Sequence, residues 1–385
     1  MIRPGLICGF VFVLILWCMP VTTASTLAPH SASAKGAGLA GVRTAFVIVM
    51  ENHDWWTIEG SEFCPFINQT LLPMASYARE YYGVPGLHPS EPNYLWMVAG
   101  TNFGILNNAS PVVNHQTSTN TLFHQLDAAG IPWKSYMEDV SGTDIAVVSY
   151  GQYAAWHNPC VFFDPAASDL NYSTNHVRPF GELAADLSGG RAPRFCFIKP
   201  NLTNDMHTLA PGSVSPRKQG DDWLARELPA ILNSGAYTNG GVVFITWDES
   251  DYAAIRPIGL IALSPQAKGF GYHNSKFYTH SSLLRTLQDI YGLQPYLGDA
   301  VNAVNLSDLF ASLAISKAEW RNDGMHLVIR YATVGQTYKL QATEDLSAEW
   351  RDIAISIAPA AEWELVDSRA DRSRTRFYRV AASKP

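Results

Sequence analysis

The sequence predicts a three-layer α/β/α sandwich with a largely parallel central sheet, followed by a small C-terminal all-β domain. Three observations carry this expectation. Strand-like and helix-like stretches alternate between residues 42 and 316, the pattern of a sheet crossed over by helices. Two apolar runs, Ala45–Met50 and Gly241–Trp247, read as strands buried on both faces. After Lys317 the chain turns to short β-rich stretches separated by Gly and Asp.

The elements follow in order. Arg43 to Asp54, RTAFVIVMENHD, is a buried strand that stops at Glu51, Asn52 and His53. Ligands of open α/β sheets collect at such carboxyl ends. Leu71–Tyr82 has apolar residues at near-helical spacing and is expected as a helix on the sheet. Pro89 and Pro92 exclude a regular interior strand between Gly86 and Asn93. Tyr94–Ala99 then reads as a helix closed by Gly100, and residues 119–129 as an amphipathic helix closed by Gly130. Trp133–Glu138 is a short strand, Phe180–Leu187 a helix, and Arg194–Lys199 a strand entering the polar loop Pro200–His207. Gly220–Asn233 is a helix that contains Pro229, and Gly241–Trp247 runs directly into Asp248 and Glu249. Ile258–Ser264 is a third buried strand, Thr279–Tyr291 a helix closed by Gly292, and Leu306–Leu309 a short apolar helix. In the tail, Leu327–Tyr331, Thr337–Ala342, Ile353–Ile357 and Arg376–Val380 are expected strands.

The composition narrows the class. At 47% hydrophobic and 16% charged, the 385-residue chain can bury a large core and is not a disordered segment. A formal net charge of -7, with no long Lys/Arg run, excludes a nucleic-acid backbone as partner. Arg3, the apolar stretch Leu6–Met19 and the small residues up to Ala24 make residues 1–24 a signal peptide, so secretion or a periplasmic location is expected. No stable membrane span is expected once it is removed. Residues 25–41, rich in Ala, Ser and Gly, read as a flexible leader. The large α/β domain then covers 42–316 and the β-rich module 317–385. Cys64, Cys160 and Cys196 remain, an odd number, with Cys160–Cys196 the candidate bridge. The oligomeric state is left open.

Glu51 with Asn52, and Asp248 with Glu249, end two buried strands. Carboxylates at one sheet mouth repel one another and resist desolvation unless a positive charge lies between them. A divalent metal ion supplies that charge. Oxygen ligands suit Mg²⁺, Ca²⁺ or Mn²⁺, and an added imidazole favours Zn²⁺ or Fe. The competing reading has these acids facing helix dipoles. Ser90, between a loop and a helix, is either a plain N-cap or an exposed nucleophile. His88, and His207 close to Asp205, are candidate phosphate contacts or proton donors. His157 and His280 stand evenly between structural and functional roles. Together these groups suit in-line displacement at phosphorus. Ser90 attacks, Asn93 holds nonbridging oxygens, a histidine protonates the leaving alcohol, and water then frees the phosphate.

The order of short motifs resembles a known family. The pieces are VIVMENH (Val47–His53), HPSEPNYLWMVAG (His88–Gly100), WHNP (Trp156–Pro159), FIKPNLTNDMH (Phe197–His207), FITWDE (Phe244–Glu249) and YTHSSLLRTLQDIYGL (Tyr278–Leu293). They are similar to bacterial phosphoesterases that include acid phosphatases and phosphatidylcholine-type phospholipases C, distant relatives of alkaline phosphatases. The likeness implies an alkaline-phosphatase-like fold and metal binding by Glu51, Asn52, Asp248 and Glu249. It implies Ser90 as nucleophile, and Asn93, His88 and His207 as phosphate-contacting residues. His157 and Asp205, inside the same motifs, join them as substrate-binding candidates. The chain departs from the family pattern at His53–Trp56, at Ser250-Asp251 and in having one histidine in the Asn204–His207 loop.

The expected function is metal-dependent hydrolysis of phosphate monoesters through a phosphoseryl intermediate, on a small phosphorylated substrate or a phospholipid head group. Phosphodiester cleavage, including phospholipase C activity, is the alternative within enzymes. A non-catalytic surface or carbohydrate-binding protein is the alternative outside them.

Overall fold

The computed structural model describes residues 39, 41–251, 255–311, 313–332, 335–360 and 362–382. The signal segment 1–24 and nearly all of the leader lie outside these residues. Two compact units divide at Ala314.

The larger unit is built on ten strands: β1 (Thr44–Met50), β2 (Ser76–Ala78), β3 (Tyr81–Tyr82), β4 (Trp133–Met137), β5 (Val177–Pro179), β6 (Phe195–Lys199), β7 (Gly241–Trp247), β8 (Leu260–Leu263), β9 (Tyr272–Asn274) and β10 (Tyr278–Thr279). Eight form one sheet in the order β5-β4-β6-β1-β7-β8-β2-β9. All pairings in it are parallel except those of β8 with β7 and with β2. The expected largely parallel sheet is therefore present. Every residue of β1 and of β7 is buried, which explains their unbroken apolar runs.

Two helical layers complete the sandwich. Ser90–Ala99, Leu122–Ala128 and His280–Tyr291 belong to one packed group. Glu182–Ser188, Pro216–Leu232 and Gly235–Thr238 belong to another. The Ser90–Ala99 helix starts before the expected Tyr94. Pro92 is tolerated because the first-turn N–H groups of a helix have no partner inside it.

Two expectations are corrected. Leu71–Tyr82 is not one helix. It turns helical only to Met74, then Ala75 is extended and Ser76–Ala78 joins the sheet between β8 and β9. A strand buried on both faces shows no alternation, so its apolar residues imitate helical spacing. The Cys160–Cys196 bridge is also absent: Cys64, Cys160 and Cys196 are free and buried. Cys196 lies inside β6, and its thiol donates to the Pro193 carbonyl at 3.6 Å.

The smaller unit is all-β. Its strands are β11 (Ala314–Arg321), β12 (Gly324–Arg330), β13 (Thr337–Thr343), β14 (Arg351–Ile357), β15 (Glu362–Asp367) and β16 (Phe377–Ala382). They form two antiparallel sheets, β11-β12-β15 and β14-β13-β16. Leu327, Ile329, Tyr338 and Leu340 are buried within this unit.

Gly100 ends the helix that begins at Ser90. It is left-handed at φ 66°, and its N–H closes the last turn onto the Trp96 carbonyl. A Cβ there would press on the Leu297 carbonyl oxygen and stand 2.8 Å from the Asp299 nitrogen, both rigid backbone atoms. Gly100→Ala is expected to lower the unfolding free energy by about 2–4 kcal/mol. A urea midpoint equal to that of the native chain would contradict this close approach.

Candidate active site

Sheet register builds the site. Met50 pairs with Trp247, so the next residues, Glu51 and Asp248, emerge side by side. On the other flank β6 pairs with β1 up to Ile198, which brings Lys199 to the same edge. Backbone bonds lock this mouth. The Asp248 N–H donates to the Met50 carbonyl at 3.1 Å, and the Glu51 N–H to the Asp205 carbonyl at 2.8 Å. Asn52 turns the chain at φ 37°, in the region that Asn tolerates better than bulkier residues. Its N–H donates to Asp248 Oδ1 at 3.0 Å.

The helix Ser90–Ala99 faces this mouth. Residues three and four apart share a helix face, and Ser90, Asn93 and Tyr94 all reach the carboxylates. The Ser90 hydroxyl lies 3.2 Å from Glu51 Oε2 and 3.3 Å from Glu249 Oε1. Asn93 Nδ2 donates to Glu249 Oε2 at 3.3 Å and to the Leu87 carbonyl at 2.9 Å. The Tyr94 hydroxyl donates to Glu51 Oε1 in a very short bond. Pro89 holds the N-cap position and Ser90 is the first helical residue, so its hydroxyl is turned to the acids.

Lys199, the last residue of β6, has its ammonium 3.0 Å from Glu51 Oε1 and 2.6 Å from Asp205 Oδ2. His157 Nε2 is 3.3 Å from Glu51 Oε2, and its ring stacks on Tyr94 with centroids 5.1 Å apart. His88 Nδ1 donates to Glu249 Oε2 at 2.5 Å. His280 Nε2 donates to the Asp248 carbonyl at 2.5 Å, and its Nδ1 accepts from Tyr81 at 3.0 Å.

Burial sets the charges. It would raise the Glu51 carboxyl, but His157, the Lys199 ammonium and the Tyr94 hydroxyl hold it down at about 2. Burial pushes His157 down to about 3 and His280 to about 4. Burial also depresses His88. It would lower the Lys199 ammonium as well, but Asp205 and Glu51 raise it above its ordinary value. Asp248 is driven well above the usual carboxylate range by burial, then by repulsion from Glu51 and Glu249. Burial and Glu51 push Glu249 up to about 8. The acids on the β7 side thus lack the cation that Glu51 finds in Lys199.

Two sets of atoms have the composition of a divalent-ion site, and in the first of them the Lys199 ammonium already stands between the two carboxylates. Glu51, His157 and Asp205 present ligand atoms within 4.8 Å of one another, all buried. On the other side, among the described residues, Asn52 Oδ1 and Asp248 Oδ2 are buried acceptors with no hydrogen-bond donor. Unpartnered buried oxygens next to Glu51, Glu249 and the Ser90 hydroxyl are the donor set of a hard cation.

The sequence-expected residues fall into three groups. Glu51, Asn52, Ser90, Asn93, Asp248, Glu249 and His88 form one hydrogen-bonded cluster. His157 and Asp205 lie on the Lys199 side of Glu51. His207 is exposed on the rim. Its N–H donates to Asp205 Oδ1 at 2.9 Å, and its ring touches Thr208 rather than Ser90. Lys199 and Tyr94 were not expected at the site. Tyr94 stands four residues after Ser90, a spacing that marks a shared face. A lysine closing a buried strand was the corresponding signal for Lys199.

An acid-lined strand mouth facing a serine at a helix start brings together a hydroxyl and a set of cation-binding oxygens. The family model described as the phosphoesterase family matches residues 65–294. The chain belongs to the phosphoesterase family. The phosphatidylinositol-3-phosphatase of Mycobacterium tuberculosis is 32% identical over 295 residues, covering 75% of this chain and 92% of that protein. The phosphate-repressible acid phosphatase of Penicillium chrysogenum is 26% identical over 85% of this chain and 76% of its own length. The acid phosphatase of Aspergillus fumigatus is 25% identical over 76% of this chain and 64% of its own. Among solved structures, the lipoteichoic acid synthase LtaP of Listeria monocytogenes aligns with 78% of this chain and 87% of its own, at 9% identity and TM-score 0.49. The protein is a metal-dependent hydrolase of phosphate esters. Among its described residues, no helix is long and apolar enough to cross a membrane.

Proposed function

We propose that the chain is a phosphomonoesterase of the acid-phosphatase kind that works through a phosphoseryl intermediate on Ser90. The carrying observation is the Ser90 hydroxyl, 3.2 Å from Glu51 and 3.3 Å from Glu249 at the start of a helix. Glu51, Asn52, Asp248 and Glu249 hold the metal ion in this reading. A divalent ion bound there supplies Lewis-acid charge, favouring a serine alkoxide and drawing charge from the phosphoryl oxygens.

The chain's own residues do the rest. Ser90 Oγ gives up its proton to water and forms a bond to phosphorus as the bond to the substrate alcohol breaks. Its position at a helix N-terminus favours the negative charge that gathers there. Tyr94 and Asn93 keep the two glutamates aimed at that oxygen. His88, hydrogen-bonded to Glu249, and the rim residue His207 are the groups that give a proton to the leaving alkoxide. His157 and Asp205 support Glu51 from its Lys199 side. Water then attacks phosphorus, the Ser90 oxygen departs, and inorganic phosphate leaves.

The mycobacterial relative named for a phosphatidylinositol phosphate favours a second substrate for the same chemistry, a phosphomonoester on a lipid head group. Turnover of a chromogenic phosphomonoester, the matching diester and phosphatidylcholine separates the choices, with the monoester expected to dominate. Ser90→Ala should lose more than about a thousandfold in turnover while folding normally. EDTA should abolish native activity and Mn²⁺ restore it. A Ser90→Ala variant with native turnover would sink the nucleophile.

We propose export as well, on Arg3 and the apolar stretch Leu6–Met19. Expressed in a Gram-negative host, the mature protein should appear in the periplasm or medium with a new N-terminus close to Ser25. A cytoplasmic protein that begins at Met1 would refute it.

A further inference from the structure

We propose that Lys199 is a built-in substitute for a second metal ion, so that the enzyme carries a single exchangeable ion, at the Glu51–Asn52–Asp248–Glu249 mouth. The inference rests on the metal site read under the proposed function.

Glu51 lies between two clusters. On one side are the β7 acids and Ser90. On the other, Glu51, His157 and Asp205 offer a carboxylate, an imidazole and a second carboxylate within 4.8 Å of one another. A shared carboxylate with ligands on both sides is the layout of a two-ion site, where the ions stand about 3.5–4 Å apart. Here the second place is taken. The Lys199 ammonium lies 2.6 Å from Asp205 Oδ2, 3.0 Å from Glu51 Oε1 and 3.4 Å from the Val49 carbonyl. An ammonium has three protons to donate, and three oxygens surround this one. Its side chain is 4% exposed. The Tyr94 ring, 5.6 Å away, adds its electron-rich face.

A divalent ion cannot enter between ligands that already hold a cation at hydrogen-bond distance. The cation is also not exchangeable, because Lys199 ends β6 and is tied to the sheet by the backbone ladder with β4. Its role is therefore positional. It holds Glu51 Oε1 and leaves Oε2 turned toward Ser90. Asp205, held by the same ammonium, accepts the His207 N–H and so fixes the start of the rim loop.

The test counts ions. The full-length chain is equilibrated with Mn²⁺, freed of excess by gel filtration and analysed for metal per polypeptide. The native chain should hold one ion, kept in His157→Ala and lost in Asp248→Asn. Lys199→Arg should still hold one, and Lys199→Gln should rise to two, the second requiring His157. Two ions on the native chain would overturn the inference and leave the first site standing. One ion that survives Asp248→Asn but is lost in His157→Ala would overturn both. A folded Lys199→Gln that stays at one ion would also overturn the role given to Lys199. If Lys199→Gln does not fold, the native count with His157→Ala and Asp248→Asn still decides.

Discussion

One buried carboxylate organises this molecule. Glu51 is fully buried, yet its two oxygens serve opposite sides of the site. Oε1 takes the Lys199 ammonium and the Tyr94 hydroxyl, while Oε2 faces Ser90 and His157. A carboxylate in that position is tolerable only because both oxygens are engaged and one positive charge is fixed beside it. Removing a partner from such a buried pair costs about 3–5 kcal/mol. The partners come from β6, the Ser90–Ala99 helix and the short turn Ala155–His157, so Glu51 joins these three to the end of β1 in a single electrostatic unit.

The sheet makes this possible. Three parallel neighbours, β6, β1 and β7, end at one edge, where Lys199 closes β6 and Glu51 and Asp248 follow directly on β1 and β7. Their backbone ladder fixes the charges relative to one another before any substrate arrives, which is the preorganisation that phosphoryl transfer requires. The support is uneven. Glu51 has its cation within the chain, whereas Asp248 and Glu249 are held by the neutral donors Asn52, Ser90 and Asn93 and by the His88 ring. That asymmetry separates the Lys199 side of the site from the side read as the metal site.

Much of the scaffold was legible in the sequence because its signals are local. The apolar runs of β1 and β7 are too long for anything but buried strands, and Gly100 and Gly292 mark helix ends where a left-handed residue is needed. The Leu71–Tyr82 stretch misled because full burial erases the alternation that identifies a strand. Within the site, the acids at the strand ends were visible as a pattern. Ser90 was not, since spacing alone fitted an N-cap equally well, and the motif resemblance raised it. Lys199 was hidden for another reason. Its partner Glu51 lies 148 positions away, and only strand order brings them together. His207, by contrast, sits close to Asp205 in sequence, but its ring points to the rim.

The most direct measurement is calorimetric titration of Mn²⁺ into Glu51→Gln, beside a thermal melt of the same protein. Glutamine keeps the shape and an acceptor for Tyr94 but removes the shared charge. The expected result is a cooperatively folded protein whose Mn²⁺ affinity has fallen by more than about a hundredfold, with phosphomonoester turnover lost alongside. A folded Glu51→Gln that binds Mn²⁺ as tightly as the native chain would contradict the central place given to Glu51.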